Sequence, residues 1–270
     1  MRAAMFVLTA GLAVPSTGTR AADPPTGGEY AGRAQAVAAA AVRPRVTGEL
    51  IRVAVKEGDA VKRGELLAEI DPRAYRLDLD AARARQKVAE ARLQAARITA
   101  GNTRRLAQNN VVSPGESALN AATEAEAEAN LLVAKVDVER AELTLSRTRV
   151  TAPFDGRVGR VHATEGNLVV ADQTPILTVV ATDRLYVTFE VPEANLLRLR
   201  RDGQAEPGKF DVAVGFAGDE GYPHAAKLDL IEPEVDPKTG NVRFRATVAN
   251  PKGVLSPGMS ARVRLSPPPK

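Results

Sequence analysis

The sequence predicts an α+β chain, mainly β and elongated. One small β domain is split into two halves, a long antiparallel α-helical coiled-coil hairpin is inserted between them, and a small antiparallel β-barrel follows. Three observations carry this. Leu77, Ala81, Ala84, Val88, Ala91, Ala95 and Ile98 succeed one another at 4,3 spacing, and so do Ala127, Leu131, Ala134, Val138, Ala141 and Leu145; sustained heptads of this kind are a coiled-coil seam. Gly48 to Gly58 aligns without gaps on Gly156 to Gly166, sharing Gly48/Gly156, Arg52/Arg160, Val53/Val161, Glu57/Glu165 and Gly58/Gly166; such a repeat means two copies of one β unit. From Leu185 onward, Leu185, Val187, Phe189 and Val191 alternate with polar residues, as half-buried strands do.

In chain order, Met1-Arg2 is a short positive segment and Ala3 to Val14 an apolar run too short to span a membrane. Thr19-Arg20-Ala21 offers a small–x–small cleavage site, so residues 1–21 are expected to be a signal peptide. Residues 22–42 read as a linker and a first strand, with Ala34 to Val42 a single apolar strand and Pro24-Pro25 and Gly27-Gly28 in the lead-in. Residues 43–73 hold the first β half. Val46 to Val55 alternates, Gly58-Asp59 suits a tight turn, and Gly64 leads to the short strand Leu66 to Ile70. The hairpin, 74–148, folds back near Ser113-Pro114-Gly115, each arm reaching roughly 50 Å at 1.5 Å per residue. Residues 149–183 supply the second half. Four short strands bury no face alone, so the halves are expected to close into one flattened barrel; antiparallel helices permit this by returning the chain to within about 10 Å of its departure.

The third unit is 184–265. Pro192-Glu193 opens a short helix, Ala194 to Arg201, with proline and an acid in its first turn. Phe210-Val212-Val214-Phe216, Val242-Phe244-Ala246-Val248 and Ala261-Val263-Leu265 are further strands, and 266–270 a proline-rich disordered tail.

Composition narrows the function. The net charge is +4, from 37 basic and 33 acidic residues dispersed along 270 positions, with aromatics at 4%. No basic block interleaved with aromatics appears, so nucleic acid is not an expected partner. There is no cysteine, which removes disulfides, thiolate metal sites, cysteine nucleophiles and a lipidated cysteine. The two histidines, His162 and His224, are read as surface strand positions with no second ligand or nucleophile beside them. No G-x-S-x-G, P-loop or H-E-x-x-H occurs. Glu124, Glu126 and Glu128 are read as a solvated face, since helical residues two apart diverge. Methionine stands only at 1, 5 and 259. The chain is expected to be no enzyme and to hold no cofactor or metal.

The β unit, with its Gly-x-Val…Glu-Gly-Asp-x-Val-x-x-Gly pattern, resembles the biotinyl/lipoyl carrier fold. Its structural glycines are Gly48, Gly58, Gly64, Gly156 and Gly166. The first half ends Ala68-Glu69-Ile70-Asp71-Pro72-Arg73, without the modifiable lysine a swinging-arm carrier displays. The whole order resembles the periplasmic adaptor subunits (membrane fusion proteins, HlyD-like superfamily) of tripartite efflux pumps. Thr151-Ala152-Pro153-Phe154-Asp155-Gly156-Arg157-Val158-Gly159 carries the resemblance most specifically, beside Arg43 to Gly48 and Glu57 to Leu67. Val235-Asp236-Pro237-Lys238-Thr239-Gly240, Arg243-Phe244-Arg245-Ala246, Asn250-Pro251 and Leu255-Ser256-Pro257-Gly258-Met259 resemble the barrel of the branch serving RND-type pumps.

The resemblance implies a non-catalytic periplasmic adaptor, held at the inner membrane by an RND-type transporter. Its other partners would be an outer-membrane channel and further copies of itself, forming a conduit for exported small molecules. An adaptor for an ABC or major-facilitator exporter is the alternative within this class. The family's hairpin tip docks on the channel through an arginine, a leucine four residues on and a serine seven beyond. Leu106 and Ser113 keep the last two positions, Asn102 holds the first, and Arg104 and Arg105 stand nearby on other sides of the helix. Asn102 is read as extending the first arm's seam, and Ser113 also as a helix cap with Glu116 three residues on. Few residues flank the first β half and Leu265, so the family's membrane-proximal domain is expected to be vestigial and pump contact to rest on the barrel.

Overall fold

The computed structural model describes residues 28–109, 111–201 and 211–266. The expected signal peptide, Phe210 and the tail beyond Ser266 lie outside the described residues. The stretch read as a linker plus one strand is two strands in two different sheets: β1 (Glu29–Ala36) and β2 (Ala39–Val42). Ala and Gly dominate it, and neither announces a strand.

The split β domain uses β2, β3 (Gly48–Val53), β4 (Ala60–Val61) and β5 (Leu66–Ile70) from before the hairpin. From after it come β6 (Arg149–Thr151), β7 (Gly156–Val161), β8 (Leu168–Val169) and β9 (Leu177–Val180). They form two four-stranded sheets, β2-β9-β7-β4 and β6-β5-β3-β8, rather than one closed barrel. Each sheet takes its central pair from one half and its edges from the other. The exchange is reciprocal: Ala60 and Val61 pair with Arg157 and Gly156, as Leu168 and Val169 pair with Glu49 and Gly48. The repeated glutamates explain themselves here. Glu165 accepts the Val53 N–H at 3.0 Å, and Glu57, at the same repeat position, accepts the Val161 N–H at 2.8 Å. Gly58 and Gly166 turn at φ +88° and +86°, and Asp172 (φ +58°) occupies the place of Gly64 (φ +83°), aspartate being among the few residues that tolerate this region. Leu50, Leu67, Ile70, Val158, Val169, Ile176, Leu177 and Val179 fill one shared core.

The hairpin is α1 (Arg73–Gln108) and α2 (Pro114–Ser146). Its base is tied to the sandwich: Tyr75 Oη donates to the Thr47 carbonyl at 2.6 Å and the Ile70 N–H to the Thr148 carbonyl at 2.8 Å. Ahead of α1, the Asp71 carboxylate accepts from the Arg73 backbone N–H and from its guanidinium. The side-chain bonds, with the backbone N–H behind them, hold the Asp71 carboxyl at about 2, below the usual 3.8. The seam of α2 runs through Ala127, Leu131, Ala134, Val138, Ala141 and Leu145 as the heptads predict, each buried or half-buried. That of α1 does not. Its inward line is Tyr75, Leu79, Ala82, Gln86, Ala89, Leu93, Ala96, Ala100 and Thr103, two residues out of phase with the expected one. Leu77, Val88 (52% exposed) and Ile98 therefore face outward, while Leu93 is 4% exposed. Two residues are about 200° of helix, so the whole stripe is reversed. Arg83 and Arg97, each following an inward residue, reach Glu142 (2.8 Å) and Glu128 (3.3 Å) on α2. This is the flanking charge pairing that sets register in coiled coils.

The third unit closes as a six-stranded antiparallel barrel, β1-β10-β13-β12-β11-β14. Its strands are β10 (Arg184–Pro192), β11 (Asp211–Phe216), β12 (His224–Asp236), β13 (Asn241–Ala249) and β14 (Ser260–Ser266), so Ser266 belongs to a strand and not to the tail. The alternating residues point inward as expected, Phe189 lying opposite Phe244 with ring centroids 5.7 Å apart. β1 was unforeseen and closes the barrel between β10 and β14. Helix α3 (Glu193–Arg201) lays Leu196 on the core. Where barrel meets sandwich, the buried Asn250 donates to the Thr182 and Leu255 carbonyls and accepts from the Leu255 N–H.

Leu93→Asp is expected to cost about 3 kcal/mol, since it buries an unpaired charge, whereas Val88→Asp in the isolated chain stays within about 0.5 kcal/mol; helical melting followed by circular dichroism separates the two. Glu57→Ala leaves the Val161 N–H without its acceptor and lowers stability by about 1 kcal/mol in denaturant titrations. A depressed carboxylate stabilises the fold fully above its ordinary pKa and loses that contribution as pH falls through the folded value. The Asp71 contribution should thus disappear between about pH 4 and pH 2, and Asp71→Asn should remove that part of the acid limb. A carboxyl carbon titrating at its ordinary value in NMR would contradict this.

Candidate partner-docking surfaces

The hairpin tip is built by the end of one helix and the cap of the next. Ser113 Oγ accepts the Glu116 N–H at 3.2 Å and Pro114 occupies the first turn of α2, as the capping signature implies. The Leu106 carbonyl accepts from the Asn109 and Val111 N–H groups, closing α1. Leu106 is 43% exposed in this last turn, with Val111 and Leu119 more exposed still. Leu119 lies outside the α2 seam once that seam is extended back through Glu124, Asn120 and Ser117, so its outward position was readable; Val111 sits in the turn, where no periodicity speaks.

The two arginines differ. Arg104 turns across the hairpin to Glu124 (3.6 Å), which also meets Arg97 (3.6 Å). Arg105 stays on the outer side and donates to Asn102 Oδ1 at 2.6 Å. Asn102 is exposed, because the inward position is Thr103 and not Asn102. Thr103 is buried; its hydroxyl accepts from Asn120 Nδ2 (2.9 Å) and donates to the Thr99 carbonyl (2.9 Å). A satisfied polar pair in an apolar seam penalises any slip of the helices near the tip. Glu124 and Glu128 are thus partners of arginines, and Glu126 alone of the three keeps no ion pair among the described residues.

Away from the tip the helices present two apolar surfaces. Beside Leu77, Val88 and Ile98 on α1, Leu132, Val133, Val136 and Leu143 are exposed on α2. Along one side a groove of about 810 Å³ runs between the helices, lined by Val88, Ala89, Ala96, Ala127, Val133 and Ala134 among others. The structural glycines sit in the sandwich, far in sequence from the tip. A side chain at Gly48 would strike Ile70 and one at Gly156 the Val180 carbonyl, so each marks a close approach of neighbouring strands within its own half, β3 to β5 and β7 to β9. His162 lies just past β7 and not in a strand; His224 opens β12 with Nε2 3.2 Å from an Asp219 carboxylate oxygen, a neighbour the sequence did not reveal. Among the described residues no group of three or more His, Asp or Glu is placed to hold a metal, and no helix is long and apolar enough to cross a membrane.

Residues 38–181 match the RND MFP barrel-sandwich hybrid domain, and 184–269 the CusB-like beta-barrel domain. The chain is 36% identical over 244 residues to the multidrug resistance protein MexA of Pseudomonas aeruginosa, covering 88% of this chain and 60% of that one. It is equally similar, over the same shares, to the toluene efflux pump periplasmic linker protein TtgA of Pseudomonas putida. It thus spans 60% of the length of these relatives. A solved MacA–MexA chimeric protein carrying the Pseudomonas aeruginosa MexA α-hairpin superposes with a TM-score of 0.61 at 27% identity, over 89% of this chain and 78% of the other. The fold is shared with this solved chimera over most of the chain, and the chain belongs to the RND membrane fusion protein family.

Proposed function

We propose that the chain is a non-catalytic periplasmic adaptor that links an inner-membrane RND-type transporter to an outer-membrane channel for export of small molecules. The observation that carries this reading is the hairpin. It projects about 54 Å from its base at 1.5 Å per residue, ends in exposed Leu106, Val111 and Leu119 around a capped turn, and among the described residues brings together no reactive constellation. Leu106 and Ser113, with Arg105, form the channel-facing end. Arg104 is committed to Glu124 and contributes to the hairpin itself. The barrel is the surface for the transporter. Relatives named as a multidrug resistance protein and a toluene efflux linker support export as the task, and the signal peptide expected over residues 1–21 supports a periplasmic location.

Self-association follows from the misphased seam. Besides its seam, α2 leaves Leu132, Val133, Val136 and Leu143 exposed among its charged residues, and α1 leaves Leu77, Val88 and Ile98 outward. Two different apolar faces on one hairpin suit a head-to-tail contact, in which α1 of one copy meets α2 of the next and the chain of contacts closes into a ring.

Ser113→Arg is expected to abolish drug-export complementation in cells lacking their own adaptor, with the protein still folded and exported. Unchanged export together with normal channel co-purification would refute the tip assignment. Val88→Asp, harmless to the isolated hairpin, should lower the assembly state seen by analytical ultracentrifugation; an unaltered distribution would remove the α1 stripe from the contact.

A further inference from the structure

We propose that the groove between the edge strands β2 and β6 is a docking slot for an extended, carboxylate-rich peptide segment. This surface is independent of the hairpin tip and does not rest on the adaptor reading. β2 and β6 each end their own sheet, so the outer N–H and C=O groups of both strands face no neighbouring strand. Between them lies a groove of about 380 Å³ with a floor of small side chains, Ala40 and Ala41 among them. Its rim carries four arginines, Arg43, Arg45, Arg147 and Arg149, all exposed. Arg45 meets Asp172 at 2.8 Å, and among the described residues Arg43, Arg147 and Arg149 have no carboxylate within salt-bridge distance.

The two halves of the sandwich make this concentration informative. The repeat relates Arg43 to Thr151, Arg45 to Pro153, Arg147 to Ala39 and Arg149 to Ala41. No arginine here is a by-product of the duplicated pattern, yet all four gather on one groove. A free sheet edge recruits an extended chain through main-chain hydrogen bonds, and alternate side chains of that chain reach the flanking pockets. Guanidinium groups at those places select carboxylates, which they grip with two parallel hydrogen bonds. The same four charges disfavour a second copy of this edge, since edge-to-edge pairing would set arginine against arginine. A lipid surface would meet the arginines but not the strand edges between the sheets.

The test uses the full chain and a fluorescent (Glu-Val)4 peptide followed by anisotropy. Salt-sensitive binding is expected, weakened about tenfold or more in Arg43→Ala/Arg149→Ala and unchanged in the barrel control Arg243→Ala/Arg245→Ala. N-methylation of alternate peptide nitrogens should abolish it, and bound peptide should slow hydrogen exchange at Ala39 to Val42. If the alanine variant unfolds, Arg43→Lys/Arg149→Lys keeps the charge, loses the fork, and should still bind more weakly. Any one of four outcomes overturns the proposal: equal binding by the groove variants, equal binding of (Lys-Val)4 or of the N-methylated peptide, binding of phosphatidylglycerol vesicles but not of the peptide, or loss of self-association in the groove variants, which would assign the slot to a second copy.

Discussion

The exchange of edge strands between the two halves of the sandwich is the constraint on which the rest of the molecule hangs. β4 completes the sheet centred on β7 and β9, and β8 completes the one centred on β3 and β5. Neither half has a sheet of its own to fall back on, and two-stranded pieces are not independently stable in water. The glutamate pair makes the exchange reciprocal, because Glu57 and Glu165 each accept a backbone N–H from the opposite half. Anything inserted between the halves must therefore bring the chain back to its starting point. An antiparallel helical hairpin does so at any length, which is why so long a projection can grow from so small a base.

The base also decides how the hairpin faces. On bulk alone, the two stripes are nearly equal: one offers Leu77, Val88 and Ile98, the other Tyr75, Leu79 and Leu93. The helix is not free to rotate between them. Asp71, Arg73 and Tyr75 anchor its first turn to the strands below, and Arg83 and Arg97 find their carboxylates on α2 only in the observed phase. Near the tip, the Thr103–Asn120 pair penalises any slip. Leu77, Val88 and Ile98 are left for surfaces outside the hairpin, so a choice made at the base shapes what the molecule offers to other proteins.

Much of this was legible. The repeat, the α2 heptads, the Ser113 cap and the inward residues of β10, β13 and β14 all carry periodic or positional signals that the structure keeps. The α1 phase was misread because alanine at 81, 82, 84, 89, 91, 95, 96 and 100 supports two heptad frames at once. Alanine fits a seam and a surface equally well. The flanking charges would have distinguished the frames, since only one of them puts Arg83 and Arg97 beside the seam. β12 was hidden by its charged residues and Pro233, which the barrel accommodates at a shift of register between Ile231 and Val235.

By itself the sequence determined the order of the units and the elements that announce themselves by period: the duplicated β motif, two long helices with a capped turn between them, and the alternating barrel strands. Those are local properties, set by which side chains recur at 2.0 or 3.6 residues. Only the tertiary structure decided that Glu29–Ala36 leaves the sandwich to close the barrel, that the halves interleave into two sheets, and that α1 turns the stripe of Leu77, Val88 and Ile98 outward. Each of these is settled by partners far away in sequence, where backbone groups in need of hydrogen bonds and anchored helix ends outweigh local apolar preference.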